Sequence, residues 1–135
     1  WYACHRDGGL CGNRNVILCY RGIKSFESET RFAADISMIP LVRTKSHLPL
    51  LADPSHSSGD RALVERVTYG FVAAGAQGVE FDIHNNPAEA LCDGKQAVLG
   101  HEAKRIIETA RGIHSMLSGI GVETGSVTRV AAAVS

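Results

Sequence analysis

The sequence predicts an α/β fold, because short apolar stretches typical of buried strands alternate with amphipathic helical stretches. The predicted order is βαβαβα, and strands that alternate with helices of this length form a parallel sheet with right-handed crossovers. The third predicted strand also carries ionisable residues along one side. Together these observations favour part of a (β/α)8 TIM barrel, about its last three strand–helix units, over an open doubly wound sheet.

The first strand–helix unit begins with a strand over residues 16–19, a short apolar run between two glycine-containing turns. A short helix is expected over residues 37–46. Ser37 is a suitable N-cap, and Pro40 is tolerated because it falls within the first helical turn.

The second unit consists of a strand over residues 48–53, which stops at Pro54, and a helix over residues 60–74. Gly75 is expected to close this helix as a C-terminal cap. Apolar residues recur at four-residue steps and predict the buried face of the helix, namely Leu63, Val67 and Phe71.

The third unit has a strand over residues 78–84 and a long helix over residues 100–118. The helix places on one face Ala103, Ile106, Ile107, Ala110 and Leu117. In the strand, Val79, Phe81 and Ile83 alternate with Glu80, Asp82 and His84. A strand covered by helices on both sides would be almost entirely apolar, whereas the lumen of a barrel can be polar, so this alternation favours the barrel. We assign residues 1–120 to the barrel part and leave the tail, 121–135, unassigned.

Composition describes one globular unit and excludes several classes of partner. The chain has 135 residues, 44% of them hydrophobic, and its 14 basic and 14 acidic residues balance. Scattered basic residues give no electrostatic footprint for nucleic acid, and no apolar run approaches the roughly 20 residues that span a membrane. A cytoplasmic protein is expected, in which the cysteines are free thiols: Cys4, Cys11, Cys19 and Cys92.

One histidine and two acids lie at the ends of successive predicted strands: His56, Asp82 and Asp93. Because the carboxyl ends of parallel strands meet at one edge of a sheet, this arrangement predicts a divalent-metal site. Arg21 follows the preceding strand and would suit a phosphorylated substrate.

Each of these residues also has a purely structural interpretation. His56 could be a hydrogen-bonded histidine, and Asp82 could pair with an arginine in the lumen. Asp93 precedes a glycine and could be a turn residue, while Arg21 could be a cation on a surface loop.

Several short motifs follow one another along residues 12–113, namely Gly12-Asn13, Val16-Ile17-Leu18-Cys19, Arg21-Gly22-Ile23, Phe26-Glu27, Thr30-Arg31, Leu48-Pro49, Asp53-Pro54-Ser55-His56, Gly75-Ala76-x-Gly78, His84-x-Asn86-Pro87 and Ala90-Leu91-x-Asp93-Gly94-x-Gln96. Their combination and order resemble the 3-deoxy-D-arabino-heptulosonate 7-phosphate (DAHP) synthase family. The Asp-Pro-Ser-His motif favours this family over its sister, the 3-deoxy-D-manno-octulosonate 8-phosphate synthases, which remain the alternative.

The resemblance implies a transferase that condenses phosphoenolpyruvate with erythrose 4-phosphate, the first step of the shikimate route to aromatic amino acids. It implies a divalent metal cofactor, Mn²⁺, Fe²⁺ or Zn²⁺, with catalytic His56, Asp82 and Asp93 as ligands. By the same resemblance Arg21 contacts phosphoenolpyruvate. Weaker candidates for phosphate contacts are Lys24, Arg31 and Ser55.

Several positions depart from the family pattern. Asp82 stands where the family has Glu, and its shorter side chain is expected to draw the carboxylate back. Glu80 stands where an apolar residue is expected, facing the lumen. A complete barrel takes about 200 residues or more, so we expect this chain to be incomplete and inactive alone. The usual cysteine ligand does not correspond by position to Cys4 or Cys11. We therefore expect a homo-oligomer or association with the missing barrel half, and the alternative is a non-catalytic barrel fragment.

Overall fold

The computed structural model describes residues 15–121 and the backbone of Ala133–Val134. Its elements, in chain order, are β1 (Leu18–Tyr20), α1 (Met38–Lys45), β2 (Leu50–Ala52), α2 (Pro54–Ser58), α3 (Arg61–Ala73), β3 (Gly78–Val79), β4 (Asp82–Ile83), α4 (Gly100–Gly119) and β5 (Ala133–Val134). A 3-10 turn, Pro87–Glu89, lies between β4 and α4. The predictions for Cys4 and Cys11 lie outside the described residues.

The sheet is parallel, as predicted. Strands β1, β2 and β3 are neighbours in that order, with Tyr20 opposite Ala52 and Ala52 opposite Val79. Strand β4 pairs in parallel with β5 in a second, two-stranded sheet. The tail that the sequence left unassigned thus contributes Ala133–Val134 as a strand.

The third predicted strand is divided into β3 and β4, which corrects the prediction of one strand over 78–84. Glu80 still donates its backbone N–H to the carbonyl of Ala52 at 2.9 Å. From Asp82 onward the chain instead exchanges backbone hydrogen bonds with Val98, at 2.9 and 3.0 Å. The strand breaks because its partner changes at this point. The predicted alternation survives, since Phe81 is buried and Glu80 is exposed.

The three long helices lie within one residue of their predicted bounds at each end. Gly75 follows α3 with φ of +96°, which glycine adopts at little cost, and the amide of Ala76 donates to the Phe71 carbonyl at 3.0 Å. The predicted buried face of α3 is wrong in part. Leu63 is 40% exposed, and the face that packs inward is Val64, Thr68, Phe71 and Val72.

Helix α2 is an element that the sequence analysis did not predict. Asp53 caps it by accepting the backbone N–H of His56 at 2.9 Å, and Pro54 occupies the first helical position. Proline is favoured there because its missing N–H would have no partner within the helix. The strand prediction over 48–53 is accordingly too long, and the short helix sets His56 at the carboxyl end of β2.

Helices cover one face of the sheet. Ile39 and Phe71 pack against a set of fully buried residues on the strands, Tyr20, Leu50 and Ala52. A second core joins α3 to α4 through Val64, Val79, Phe81 and Ile106. On the opposite face of β1, Ile17 is 57% exposed and Cys19 is exposed.

Two further predictions can be compared with the described residues. Cys19 and Cys92 are free thiols, as expected. None of the helices within the described ranges is both long enough and apolar enough to cross a membrane.

Candidate metal centre

His56 is oriented by a carboxylate on its far side. Its Nδ1 lies 2.8 Å from Oδ2 of Asp53, which is 5% exposed. The other oxygen of Asp53 caps the helix through the backbone of His56, so both the ring and its backbone are held by one side chain. A carboxylate on Nδ1 fixes the ring so that Nε2 is available as a ligand.

Asp82 begins β4 and reaches the same point despite its short side chain. Its Oδ2 lies 3.9 Å from Nε2 of His56. The backbone N–H of Asp82 donates to Oγ of Ser55 at 3.1 Å, which links β4 directly to α2. The Asp side chain is therefore long enough to join the cluster in this chain.

Asp93 comes from the loop before α4 and completes the cluster, with Oδ2 at 3.5 Å from Nε2 of His56. Its backbone is left-handed, with φ of 52°, a conformation that Asp tolerates better than most residues. Arg31 donates to Oδ1 at 2.9 Å, and this hydrogen bond lowers the pKa of Asp93 below its usual value. Asp93 is therefore both a turn residue and a member of the cluster.

The three predicted ligands converge. One ligand atom from each of His56, Asp82 and Asp93 lies within 4.8 Å of the others. One imidazole nitrogen and two carboxylates suit Mn²⁺, Fe²⁺ or Zn²⁺. All three side chains are partly exposed, so an ion could enter from the carboxyl edge of the sheet. The donor set and its spacing fit a divalent cation.

Two side chains tie the carboxylates to each other and to the first loop. Gln96 donates from Nε2 to Asp82 Oδ2 at 3.2 Å and to Asp93 Oδ1 at 3.1 Å. Arg31 donates to Gln96 Oε1 at 3.1 Å as well as to Asp93. The backbone N–H of Arg31 in turn donates to the carbonyl of Ser58 at 3.3 Å, so the loop is fastened to the end of α2.

The predicted substrate-binding cations gather around one aromatic ring. The guanidinium carbon of Arg21 lies 5.0 Å from the centre of the Phe32 ring, Lys24 Nζ lies 5.8 Å away and Arg31 lies 5.9 Å away. Cations at these distances are attracted to the ring face. Phe32 thus keeps three positive charges close to the candidate metal ligands. Among the described residues, only Arg31 contacts one of these ligands directly, namely Asp93.

Ser55 is placed differently from the expectation of an accessible phosphate contact. Its side chain is fully buried, and its hydroxyl oxygen accepts the Asp82 N–H. In this structure Ser55 positions a ligand, and its contact with phosphate stays a prediction. His84 accepts the Asn86 N–H on Nδ1 at 3.0 Å, which gives it a structural contact in the following loop.

Two carboxylates, those of Asp53 and Glu80, act electrostatically on Cys19 in β1. The pKa of the Cys19 thiol is raised to about 11, chiefly because neighbouring protein atoms desolvate the thiol, and further by the charges of Asp53 and Glu80. Cys19 is therefore protonated near neutral pH. Glu80, the unexpected acid, is exposed.

Comparisons with known proteins decide the family. A family model described as the DAHP synthetase I family matches residues 3–118. The chain belongs to the DAHP synthetase I family. Phospho-2-dehydro-3-deoxyheptonate aldolase of Thermotoga maritima is 49% identical over 87 residues, 64% of this chain and 26% of the relative. A 2-dehydro-3-deoxyphosphooctonate aldolase of a Geobacter species is 29% identical over 119 residues, 80% of this chain and 42% of the relative.

Solved structures agree with the sequence matches. The crystal structure of Thermotoga maritima DAHP synthase superposes with a TM-score of 0.73 at 39% identity, over 87% of this chain and 34% of that one. A truncated form of the same synthase also gives 0.73 and is covered to 44%. The α/β fold therefore resembles DAHP synthase, and the resemblance seen in the motifs is confirmed. The chain spans between 26% and 44% of the length of these relatives.

Three residues of the candidate site were not singled out by the sequence analysis: Asp53, Gln96 and Phe32. Asp53 carries a local signal, since an acid three residues before a histidine and directly before Pro54 is typical of a helix N-cap. Gln96 ends one of the family motifs, but the motif does not show its role, and Phe32 carries no local signal. Their contacts join residues 31, 82 and 93, or 21, 24 and 31, only after folding.

Proposed function

We propose that this chain supplies the metal-binding part of a DAHP synthase, a transferase that condenses phosphoenolpyruvate with erythrose 4-phosphate. The observation that carries the proposal is the convergence of His56, Asp82 and Asp93 at the carboxyl edge of a parallel sheet. Family membership and the Thermotoga relative support the choice of reaction.

In this proposal His56 Nε2 and the carboxylates of Asp82 and Asp93 hold a divalent ion, Mn²⁺, Fe²⁺ or Zn²⁺. When bound, such an ion supplies an electrophile for the aldehyde oxygen of the sugar phosphate. Asp53 keeps the His56 ring turned toward the carboxylates, and Ser55 and Gln96 keep Asp82 in place.

The cations around Phe32 would bind the anionic groups of the substrates. Arg21 and Lys24 are exposed and have their charged ends over the ring, so their positions are restricted before a substrate arrives. An arginine fork matches the oxygens of a phosphate or a carboxylate. An open pocket of about 510 Å³ lies beside Asp93 and is lined in part by Lys24, Thr30, Arg31 and Lys95. It would receive a phosphorylated group close to the ligands.

The reaction requires the residues to align two substrates. Carbon 3 of phosphoenolpyruvate bonds to the aldehyde carbon, water adds at carbon 2, and inorganic phosphate leaves. With the phosphate of phosphoenolpyruvate on Arg21 and the aldehyde near His56, the reacting carbons would be brought together at the edge of the sheet. Positioning of this kind supplies much of the rate enhancement when two substrates must meet.

The second candidate is condensation with arabinose 5-phosphate. The 29% identical 2-dehydro-3-deoxyphosphooctonate aldolases support it, because their match covers 80% of this chain. The Asp-Pro-Ser-His motif of residues 53–56 favours the DAHP reaction. A third possibility is a non-catalytic barrel fragment.

A chimera tests these functions. Residues 15–121 would replace the matching segment of the Thermotoga maritima DAHP synthase, and phosphoenolpyruvate consumption would be followed with each sugar phosphate. We expect product with erythrose 4-phosphate, and none when the chimera carries His56→Ala. Product with arabinose 5-phosphate alone would favour the second candidate. A folded chimera with neither activity would contradict an enzymatic role.

A further inference from the structure

The side chain of Gln96 lies between the two carboxylates of the metal cluster and is shielded from solvent. The residue is 2% exposed. Its Nε2 donates one hydrogen bond to Asp82 Oδ2 at 3.2 Å and one to Asp93 Oδ1 at 3.1 Å, while its Oε1 accepts from Arg31 at 3.1 Å. A primary amide has two N–H groups, so its entire donor capacity is used on predicted metal ligands.

These hydrogen bonds reduce the repulsion between the carboxylates of Asp82 and Asp93. Two carboxylates that point at one site repel each other when no cation lies between them. The amide presents the positive end of its dipole to both, and Arg31 adds a positive charge at Asp93 Oδ1. Oδ1 of Asp93 accepts from both Gln96 and Arg31, so its Oδ2, at 3.5 Å from His56 Nε2, faces the site for an ion. Oδ2 of Asp82 accepts from Gln96 and has a second lone pair for the ion.

We propose that Gln96 is a positioning residue of the metal centre, which holds Asp82 and Asp93 convergent before the cation binds. The inference rests on the proposed metal site. A buried amide must find acceptors for both of its N–H groups, and here both acceptors are carboxylates of the proposed ligand set. Here the amide joins the two carboxylates to each other and connects them through Arg31 to the first loop.

The test replaces Gln96 with methionine, which has nearly the same length and no N–H group. Mn²⁺ is titrated into the full chain and free Mn²⁺ is followed by electron paramagnetic resonance. We expect Gln96→Met to weaken Mn²⁺ affinity by about 10- to 100-fold, the usual effect of removing a group that orients metal ligands. The visible spectrum of bound Co²⁺ should also change, which a loss of packing alone would not cause.

Gln77→Met is the matched control. Gln77 Oε1 accepts the backbone N–H of Leu50 at 3.1 Å, so this variant also loses one glutamine contact, in a part of the sheet away from the ligands. It should bind Mn²⁺ like the wild type. If Gln96→Met does not fold, Gln96→Asn keeps the amide but shortens its reach, and we expect it to lose affinity as well.

His56→Ala separates this inference from the metal site itself. If His56→Ala abolishes binding while the Gln96 variants bind Mn²⁺ like the wild type, the positioning role is overturned and the metal site stands. If His56→Ala binds Mn²⁺ as tightly as the wild type, the metal site is wrong, and the role of Gln96 falls with it.

Discussion

Asp53 combines two contacts that the sequence pattern alone shows only in part. One oxygen accepts the backbone N–H of His56 as a helix cap, and the other lies 2.8 Å from Nδ1 of the ring. The cap was readable from the residues before Pro54, whereas the ring contact required the structure. The effect of the ring contact on metal binding can be separated from the effect of the cap on stability.

Asp53→Asn tests that consequence. The amide keeps a capping oxygen but loses the charge that orients the imidazole, so Mn²⁺ affinity should fall by about 10- to 100-fold. Asp60→Asn is the control, because Asp60 also caps a helix through a backbone N–H, that of Ala62 at 2.9 Å. Equal affinities in the two variants, measured by Mn²⁺ titration, would show that Asp53 acts only as a cap.

Glu80 is a charged residue where the family pattern has an apolar one, so its effect on metal binding needs a test. The structure leaves it exposed, and its charge acts on Cys19. We predict that Glu80→Met leaves Mn²⁺ affinity unchanged within about twofold, because Asp82 is held by Ser55 and Gln96 and not by Glu80. A large loss of affinity in the same titration would assign Glu80 to the metal centre.

Between elements, α3 and α4 are joined by a charged contact as well as by their core. Arg105 on α4 donates to Glu65 on α3 at 2.8 Å. This hydrogen bond, followed by one from Tyr69, lowers the pKa of Glu65 from its ordinary value of 4.5. A carboxyl whose pKa is lowered in the folded state contributes stability above its unfolded pKa, and that stability is lost as the pH falls through the folded pKa.

The free energy of unfolding should therefore differ between wild type and Glu65→Gln near neutral pH, with the wild type more stable. The difference should shrink as the pH is lowered below 4.5. Glu108→Gln on α4, the helix of Arg105, is the control, since the Glu108 pair with Lys104 is 4.0 Å long and exposed, and it should have little effect. A Glu65→Gln difference that stays constant through the acid range would contradict the assignment.

Periodicity predicted the long helices well, because each buries one stripe of side chains in the core. It failed at the short elements. Helix α2 depends on a cap and a proline, and the break between β3 and β4 depends on a change of partner from Ala52 to Val98. Of the site, the three ligands followed from their places at strand ends. The contacts of Gln96 and Phe32 connect distant loops and had no local pattern.

At the scale of the whole molecule, the helices among residues 15–121 cover one face of the sheet and leave the other open. Ile17 and Cys19 are exposed on the uncovered face, and Leu51 is half-buried there. Exposed apolar side chains on an open sheet face favour association, even though Glu80 lies on the same face. We expect the chain to form oligomers or larger species in solution, and the covering chain to be either a second copy or the rest of a barrel.

Size-exclusion chromatography with light scattering measures the association state of the chain. Ile17→Lys should shift the chain toward monomer, because it places a charge on the uncovered face. Ile120→Lys is the control, since Ile120 is 70% exposed at the end of α4, away from that face. A compact monomer at all concentrations of the wild type would contradict the prediction.

The most direct test of the metal centre is Mn²⁺ titration of the full chain with His56→Ala and His84→Ala side by side. His84 is the matched control, because its Nδ1 is used by the Asn86 backbone and not by the cluster. We predict one Mn²⁺ per chain for the wild type and for His84→Ala, and loss of binding in His56→Ala. Unchanged binding in His56→Ala would contradict the metal centre at His56, Asp82 and Asp93.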